Sequence, residues 1–142
     1  MKIPEGIRFA DIQSAMNFER VASGGMAAGL LVLEGVKASG KTRLAKHLLS
    51  ILGFSEMAIM PNEKTLERIF NVEKPQVAFF DEVNTAKPTR KNSVRVIHKP
   101  LESAAILAAI DGGVLVILAG FEVTLAADLE TRAIRVRLGQ NA

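Results

Sequence analysis

The run Gly35-Val36-Lys37-Ala38-Ser39-Gly40-Lys41-Thr42 combines residue types and a spacing that can hold a chain of phosphates. It satisfies G-x-x-x-x-G-K-[ST] at every fixed position. Glycine at each end lets the backbone curl until successive N–H groups converge on one anion, and the positive end of a following helix faces the same point. Lys41 is spaced to reach the β- and γ-phosphates, and the Thr42 hydroxyl to ligate Mg²⁺. With Arg43 next in line, residues Gly35 to Arg43 form the candidate phosphate-holding set, and a nucleoside triphosphate is the expected ligand. Outside such a pattern Lys41 would read as a solvated lysine at a helix start. The cation needs a second protein ligand, and Asp81, ending the apolar run Val77-Ala78-Phe79-Phe80, is the candidate. Glu82 follows it and can orient and deprotonate an attacking water, which a hydrolase requires and a phosphotransferase to a bound acceptor does not. The plainer reading of Glu82 is a solvated turn carboxylate.

The elements around these residues are legible from periodicity. Phe9, Ile12, Met16 and Val21 recur at helical spacing and predict a leading helix over 9–22, closed by Ser23-Gly24-Gly25. Leu30-Leu31-Val32-Leu33 is a uniform apolar run, the form of a strand covered on both faces. After the loop, Leu44, Ala45, Leu48, Leu49 and Leu52 make one helical stripe ending at Gly53. The alternation continues with a strand over 57–60, a helix capped by Asn62, and a strand over 77–80. A helix over 101–110 begins after Pro100 and ends at Asp111-Gly112-Gly113. Last come a strand over 114–119, a short helix over 125–130 and an edge strand over 133–138, in which Arg135 and Arg137 alternate with apolar residues. This order predicts an α/β fold with a mainly parallel five-stranded sheet and right-handed crossovers, whose ligands bind at the carboxyl ends of the strands. Residues 1–25 form a leading helix and joint, and 26–142 the core, within one domain overall.

Composition narrows the classes. The 142 residues contain no cysteine, so disulfides and thiolate metal sites are excluded, and His47 and His98 lack partners at metal-ligand spacing. No apolar stretch approaches the roughly 18 residues needed to span a bilayer, and Met1-Lys2-Ile3-Pro4-Glu5 opens no signal peptide, so a soluble cytoplasmic protein without membrane partners is expected. A net charge of +3 permits a polyanionic partner without requiring one. With no Trp or Tyr and seven Phe, a grip on nucleic acid would run mainly through phosphates rather than base stacking.

Taken together, Gly35 to Thr42 and Phe79-Phe80-Asp81-Glu82 resemble the Walker A and Walker B elements of AAA+ ATPases, most of all compact phage and mobile-element ATPases related to superfamily 3 helicases. Asp128-Leu129-Glu130-Thr131-Arg132 is similar to the segment that carries the arginine finger in that group. The resemblance implies a P-loop NTPase built as a three-layer α/β/α sandwich, binding Mg²⁺-ATP and hydrolysing it with Lys41, Glu82 and Arg132 as catalytic residues. It further implies a ring-like homo-oligomer, with Arg132 reaching the γ-phosphate held by a neighbour; the plainer alternative is a surface arginine that caps the short helix or pairs with Glu130. Such ATPases usually carry a polar γ-phosphate sensor after the fourth strand, whereas this chain reads Ala119-Gly120-Phe121-Glu122-Val123-Thr124, and Phe121 cannot hydrogen-bond through its side chain. Many also continue into a C-terminal helical lid. With the last residue at Ala142, a lidless core with a partly open nucleotide is expected, and Ile3 to Ala10 or the joint at Ser23 to Gly25 is a candidate cover for the adenine.

Between Glu82 and Glu102 every charged residue is basic: Lys87, Arg90, Lys91, Arg95 and Lys99. In the resembling helicases this region contributes the element that follows DNA, single- or double-stranded; otherwise it is a solvated basic loop balancing the acidic metal site. The expected activity is therefore an ATPase acting on DNA as a helicase-like or replication motor. Two alternatives stay open: a nucleotide or metabolite kinase, and a nucleotide-binding interaction module that does not hydrolyse its ligand.

Overall fold

The computed structural model describes residues 3–23, 29–36, 39–53, 58–59, 77–80, 103–121, 123 and 125–139. Among the described residues nine elements follow in chain order: α1 (Ile12–Ala22), β1 (Gly29–Glu34), α2 (Lys41–Leu52), β2 (Ala58–Ile59), β3 (Val77–Phe80), α3 (Ser103–Asp111), β4 (Leu115–Gly120), α4 (Ala127–Glu130) and β5 (Ala133–Arg137). Strands and helices alternate except between β2 and β3, where residues 60–76 lie outside the described residues, and every pairing among these five strands is parallel. Strands β3, β4, β1 and β5 form the body of the sheet. The two-residue β2 adds to β3, which gives the order β2-β3-β4-β1-β5.

Uniformly apolar strands become fully buried strands because helices cover the sheet on both faces. Leu31, Leu33, Val77, Phe79, Ile117 and Val136 point into one apolar cluster with Leu44, Ala45, Leu48 and Leu49 of α2 and Phe18 and Val21 of α1. The alternate residues Leu30, Val32, Ala78, Phe80, Val116 and Leu118 meet Ile106, Ala109 and Ile110 of α3 and Leu129 of α4 on the other face.

The N-terminal segment differs from the sequence expectation in register. Helix α1 starts only at Ile12, because Asp11 is its N-cap: the Ser14 amide donates to Asp11 Oδ1 at 2.7 Å. That amide, followed by the Ser14 hydroxyl, holds the Asp11 carboxyl below its usual range. Phe9 lies before the helix, in an antiparallel bridge to Leu138, with its ring 5.7 Å from that of Phe18. The buried stripe is Ser14, Phe18, Val21 and Ala22, while Ile12 and Met16 face solvent at 79% and 57% exposure. Burial of Ser14 has a polar cause: its Oγ accepts from Arg137 N at 2.9 Å.

The outer margin of β5 engages the chain start in the same way. Asn17 Nδ2 donates to Arg135 O at 2.9 Å, and Ala10 N to Arg137 O at 2.9 Å. Among the described residues no helix is long and apolar enough to cross a membrane.

Candidate functional site

Helix α2 follows β1 on one face of the sheet, whereas α4, which follows the neighbouring strand β4, lies on the other. Two adjacent parallel strands whose connections leave toward opposite faces open a crevice at their carboxyl ends, where open α/β sheets hold ligands. Here that crevice lies where Gly35 N donates to Gly120 O at 3.1 Å, at the first residue of the glycine-bounded loop. Because β3 runs parallel to β4, it delivers the chain toward this same end of the sheet.

Close approaches explain both fixed glycines of the loop. A Cβ on Gly35 would lie 2.5 Å from Ser39 Oγ, so the two residues can touch only if the first has no side chain. Gly40 has φ +100° and faces Ile7, whose Cγ1 would lie 2.8 Å from an added Cβ. Ile7 therefore rests on the loop at Gly40, and Arg43 NH2 donates to Glu5 O at 2.8 Å beside this contact.

The helix that leaves the loop has an electrostatically unbalanced start. Gly40 supplies no side-chain cap, no acidic residue occupies the first turn, and Lys41 and Arg43 add positive charge to the positive end of the helix dipole. Lys41 Nζ donates to Gly35 O at 2.8 Å and to Val36 O at 2.9 Å, so the ammonium folds back onto the loop it serves. Ser39 Oγ is fully buried and has no hydrogen-bond partner among the described residues. A buried hydroxyl left unpaired costs about 1–3 kcal/mol, so it marks a point where a polar group from elsewhere would be stabilising.

Arg132 lies at the far end of the sheet. Ala133 is level with Leu30 and Arg137 with Glu34, so Arg132 precedes the amino end of β5 while the loop leaves the carboxyl end of β1. Arg132 is thus level with Gly29, and six strand steps of about 3.3 Å separate it from Gly35 by roughly 20 Å. Its guanidinium pairs with Asp111 Oδ1 at 3.0 Å, both partners being well exposed. Glu130, the surface partner that the plainer reading offers Arg132, is instead held by Arg135, which donates from Nε and NH2 at 3.0 and 2.6 Å and keeps the Glu130 carboxyl below its usual range. Arg135 is accordingly raised, first by Glu130 and then by Glu34.

Glu34 has no role in the sequence reading. It is 8% exposed at the end of β1, directly before Gly35. Val123 N donates to its Oε2 at 3.0 Å, and Oε1 takes Arg135 NH1 at 2.9 Å and Arg137 Nε at 3.5 Å. A cavity of about 690 Å³ opens beside this network, lined by Gly35 and Val36 of the loop, Phe121 and Val123 after β4, and Arg135 and Arg137 of β5. The available signal in the sequence is a carboxylate ending an apolar run, since a buried charge demands a counter-charge.

Of the predicted site residues, Gly35, Val36, Ser39, Gly40, Lys41, Thr42 and Arg43 are brought together at the crevice. Lys37, Ala38, Asp81, Glu82, Lys87, Arg90, Lys91, Arg95 and Lys99 lie outside the described residues, as do His98, Glu122 and the helix expected after Asn62. Among the described residues no three His, Asp or Glu side chains gather as a metal site. No protein-family model matches the chain, and no curated protein does.

Proposed function

We propose that this chain is a Mg²⁺-dependent, ATP-binding and ATP-hydrolysing P-loop NTPase of AAA+ type, a three-layer α/β/α sandwich round a mainly parallel five-stranded sheet. The observation that carries the reading is the loop Gly35–Thr42 at the crevice between β1 and β4, leading into a helix whose first turn holds Lys41 and Arg43 with no acidic residue. A triphosphate would answer each unbalanced feature. It brings negative charge to the helix start, an oxygen within reach of the Lys41 ammonium, and acceptors for loop amides and for Ser39. Thr42 and Asp81 are the residues to hold Mg²⁺, whose charge neutralises phosphoryl oxygens; Glu82 prepares the water.

Arg132 lies about 20 Å along the sheet from the loop of its own chain, which favours action on a neighbour's nucleotide within a homo-oligomer. The basic residues 87–99 make DNA the favoured macromolecular partner, and motor work on it the favoured use. One observation favours a second reading, a nucleotide-binding interaction module without turnover: Phe121, where a polar sensor is implied, is 54% exposed and offers no side-chain hydrogen bond.

Phosphate release and sedimentation, with and without ATP and single-stranded DNA, test both on wild type, Glu82→Gln and Arg132→Ala. Each variant alone should be inactive, and an equal mixture should recover activity by pairing an intact finger with an intact base. An Arg132→Ala protein as active as wild type removes the finger. ATP binding with no phosphate release under any condition selects the interaction module.

A further inference from the structure

Strand β1 is apolar from Leu30 to Leu33 and then ends in a buried carboxylate. Replacing a buried ion pair by packed apolar residues is often neutral or stabilising, so stability alone gives little reason for a charge at this position. Its contacts supply another. Through Val123 N, Glu34 holds the turn after β4; through Arg135 and Arg137 it holds β5, and Arg135 passes the connection on to Glu130 of α4. Gly35, the next residue along, gives its carbonyl to Lys41 Nζ. One carboxylate thus joins the start of the phosphate loop to the turn that follows β4 and to the strand that follows α4.

We propose that Glu34 is a positioning residue, which fixes the first residue of the loop against β5 and Val123 and thereby sets turnover rather than nucleotide affinity. The inference rests on the phosphate-loop reading above. When the Lys41 ammonium turns to phosphoryl oxygens, the Gly35 and Val36 carbonyls lose a donor and the loop start readjusts. A carboxylate with both oxygens engaged carries that readjustment into β5 and the turn. Arg137, the longer-range partner at 3.5 Å and the more exposed one, is the member that yields.

Hydrogen exchange and steady-state kinetics on wild type, Glu34→Gln and Arg135→Gln test this, using the Mg²⁺ complex of a non-hydrolysable ATP analogue as the exchange probe. Glu34→Gln keeps the shape and an acceptor for Val123 N; Arg135→Gln removes the partner from β5 and leaves the loop residues untouched. In wild type the analogue should slow exchange over 35–42 and also over 133–139. In both variants protection of 35–42 should persist while the response of 133–139 disappears, and kcat should fall about tenfold with KM within about twofold, the pattern of an interaction made only on the way to the transition state. If both variants keep the wild-type β5 response and kcat, the assignment is overturned. Affinity lost in parallel with kcat also overturns it, because Glu34 would then serve only to keep the loop folded. A wild-type loop protected without any response in β5 removes the coupling alone; a loop left unprotected by the analogue removes the phosphate-loop reading and this inference with it.

Discussion

Replacing Gly40 by alanine tests how the loop is built, and its cost can be worked from geometry. At φ +100° and ψ 18° the position is left-handed, which costs an L-residue about 1–2 kcal/mol. The new Cβ would also lie 2.8 Å from Ile7 Cγ1 and 3.1 Å from Ile7 Cδ1, both inside contact distance. Overpacking of this kind costs about 1–3 kcal/mol, and the lower entropy of the unfolded alanine chain offsets about 0.4–1 kcal/mol. The expected net loss is about 1–4.5 kcal/mol, against a typical domain stability of about 5–15 kcal/mol.

The two causes separate in an Ile7→Ala background. That change removes Cγ1 and Cδ1 and leaves Ile7 Cβ at 3.9 Å, an ordinary contact, so Gly40→Ala should then cost only the backbone term less the same entropy offset, about 0–1.6 kcal/mol. Urea unfolding followed by circular dichroism measures all four corners of the cycle; with no Trp or Tyr, intrinsic fluorescence has little to report. A Gly40→Ala protein within about 0.5 kcal/mol of wild type refutes the left-handed geometry. An equal penalty in both backgrounds refutes the packing of Ile7 on the loop.

The register of α1 makes a second, opposed pair of expectations: Phe18→Ala should cost about 3–5 kcal/mol, while Ile12→Ser should fall within about 0.5 kcal/mol of wild type by the same unfolding assay. The Asp11 cap adds a pH signature. Its folded carboxyl is held down, so its contribution is complete above the unfolded value near 3.9 and is lost as pH falls through the folded one; melting temperatures of wild type and Asp11→Asn should converge as pH drops below 4. If residues Lys87, Arg90, Lys91, Arg95 and Lys99 all bind single-stranded DNA, log K should fall with log salt at a slope of roughly −3.5, and alanines at these positions should flatten it; an unchanged slope assigns them to a solvated loop.

The helix α2 and the strands β3 and β4 are readable from sequence because each is a run of one periodicity between strong breakers, and the glycine-bounded loop before α2 stands out by its own spacing. Helix α1 is harder for a physical reason. Phe9, Ile12 and Met16 imitate a buried stripe, but the side turned inward includes Ser14, whose hydroxyl meets a strand amide far along the chain. Glu34 escapes for a related reason. Its arginines lie on β5, 103 residues away in the case of Arg137, and only the β1–β5 register brings them level. Arg132 was legible as a residue type, yet its pairing with Asp111 depends on how the end of α3 meets the start of β5. Local periodicity identifies elements; partners drawn from distant strands follow from the assembled sheet.

The fastening of β5 by Asn17, Ser14 and Ala10 limits how copies of this chain can meet. Backbone groups of Arg135 and Arg137 that would otherwise recruit a foreign strand are already occupied by the chain's own N-terminal segment. Growth of a continuous intermolecular sheet across that margin is blocked, so subunits approaching from this side must recognise each other through side chains.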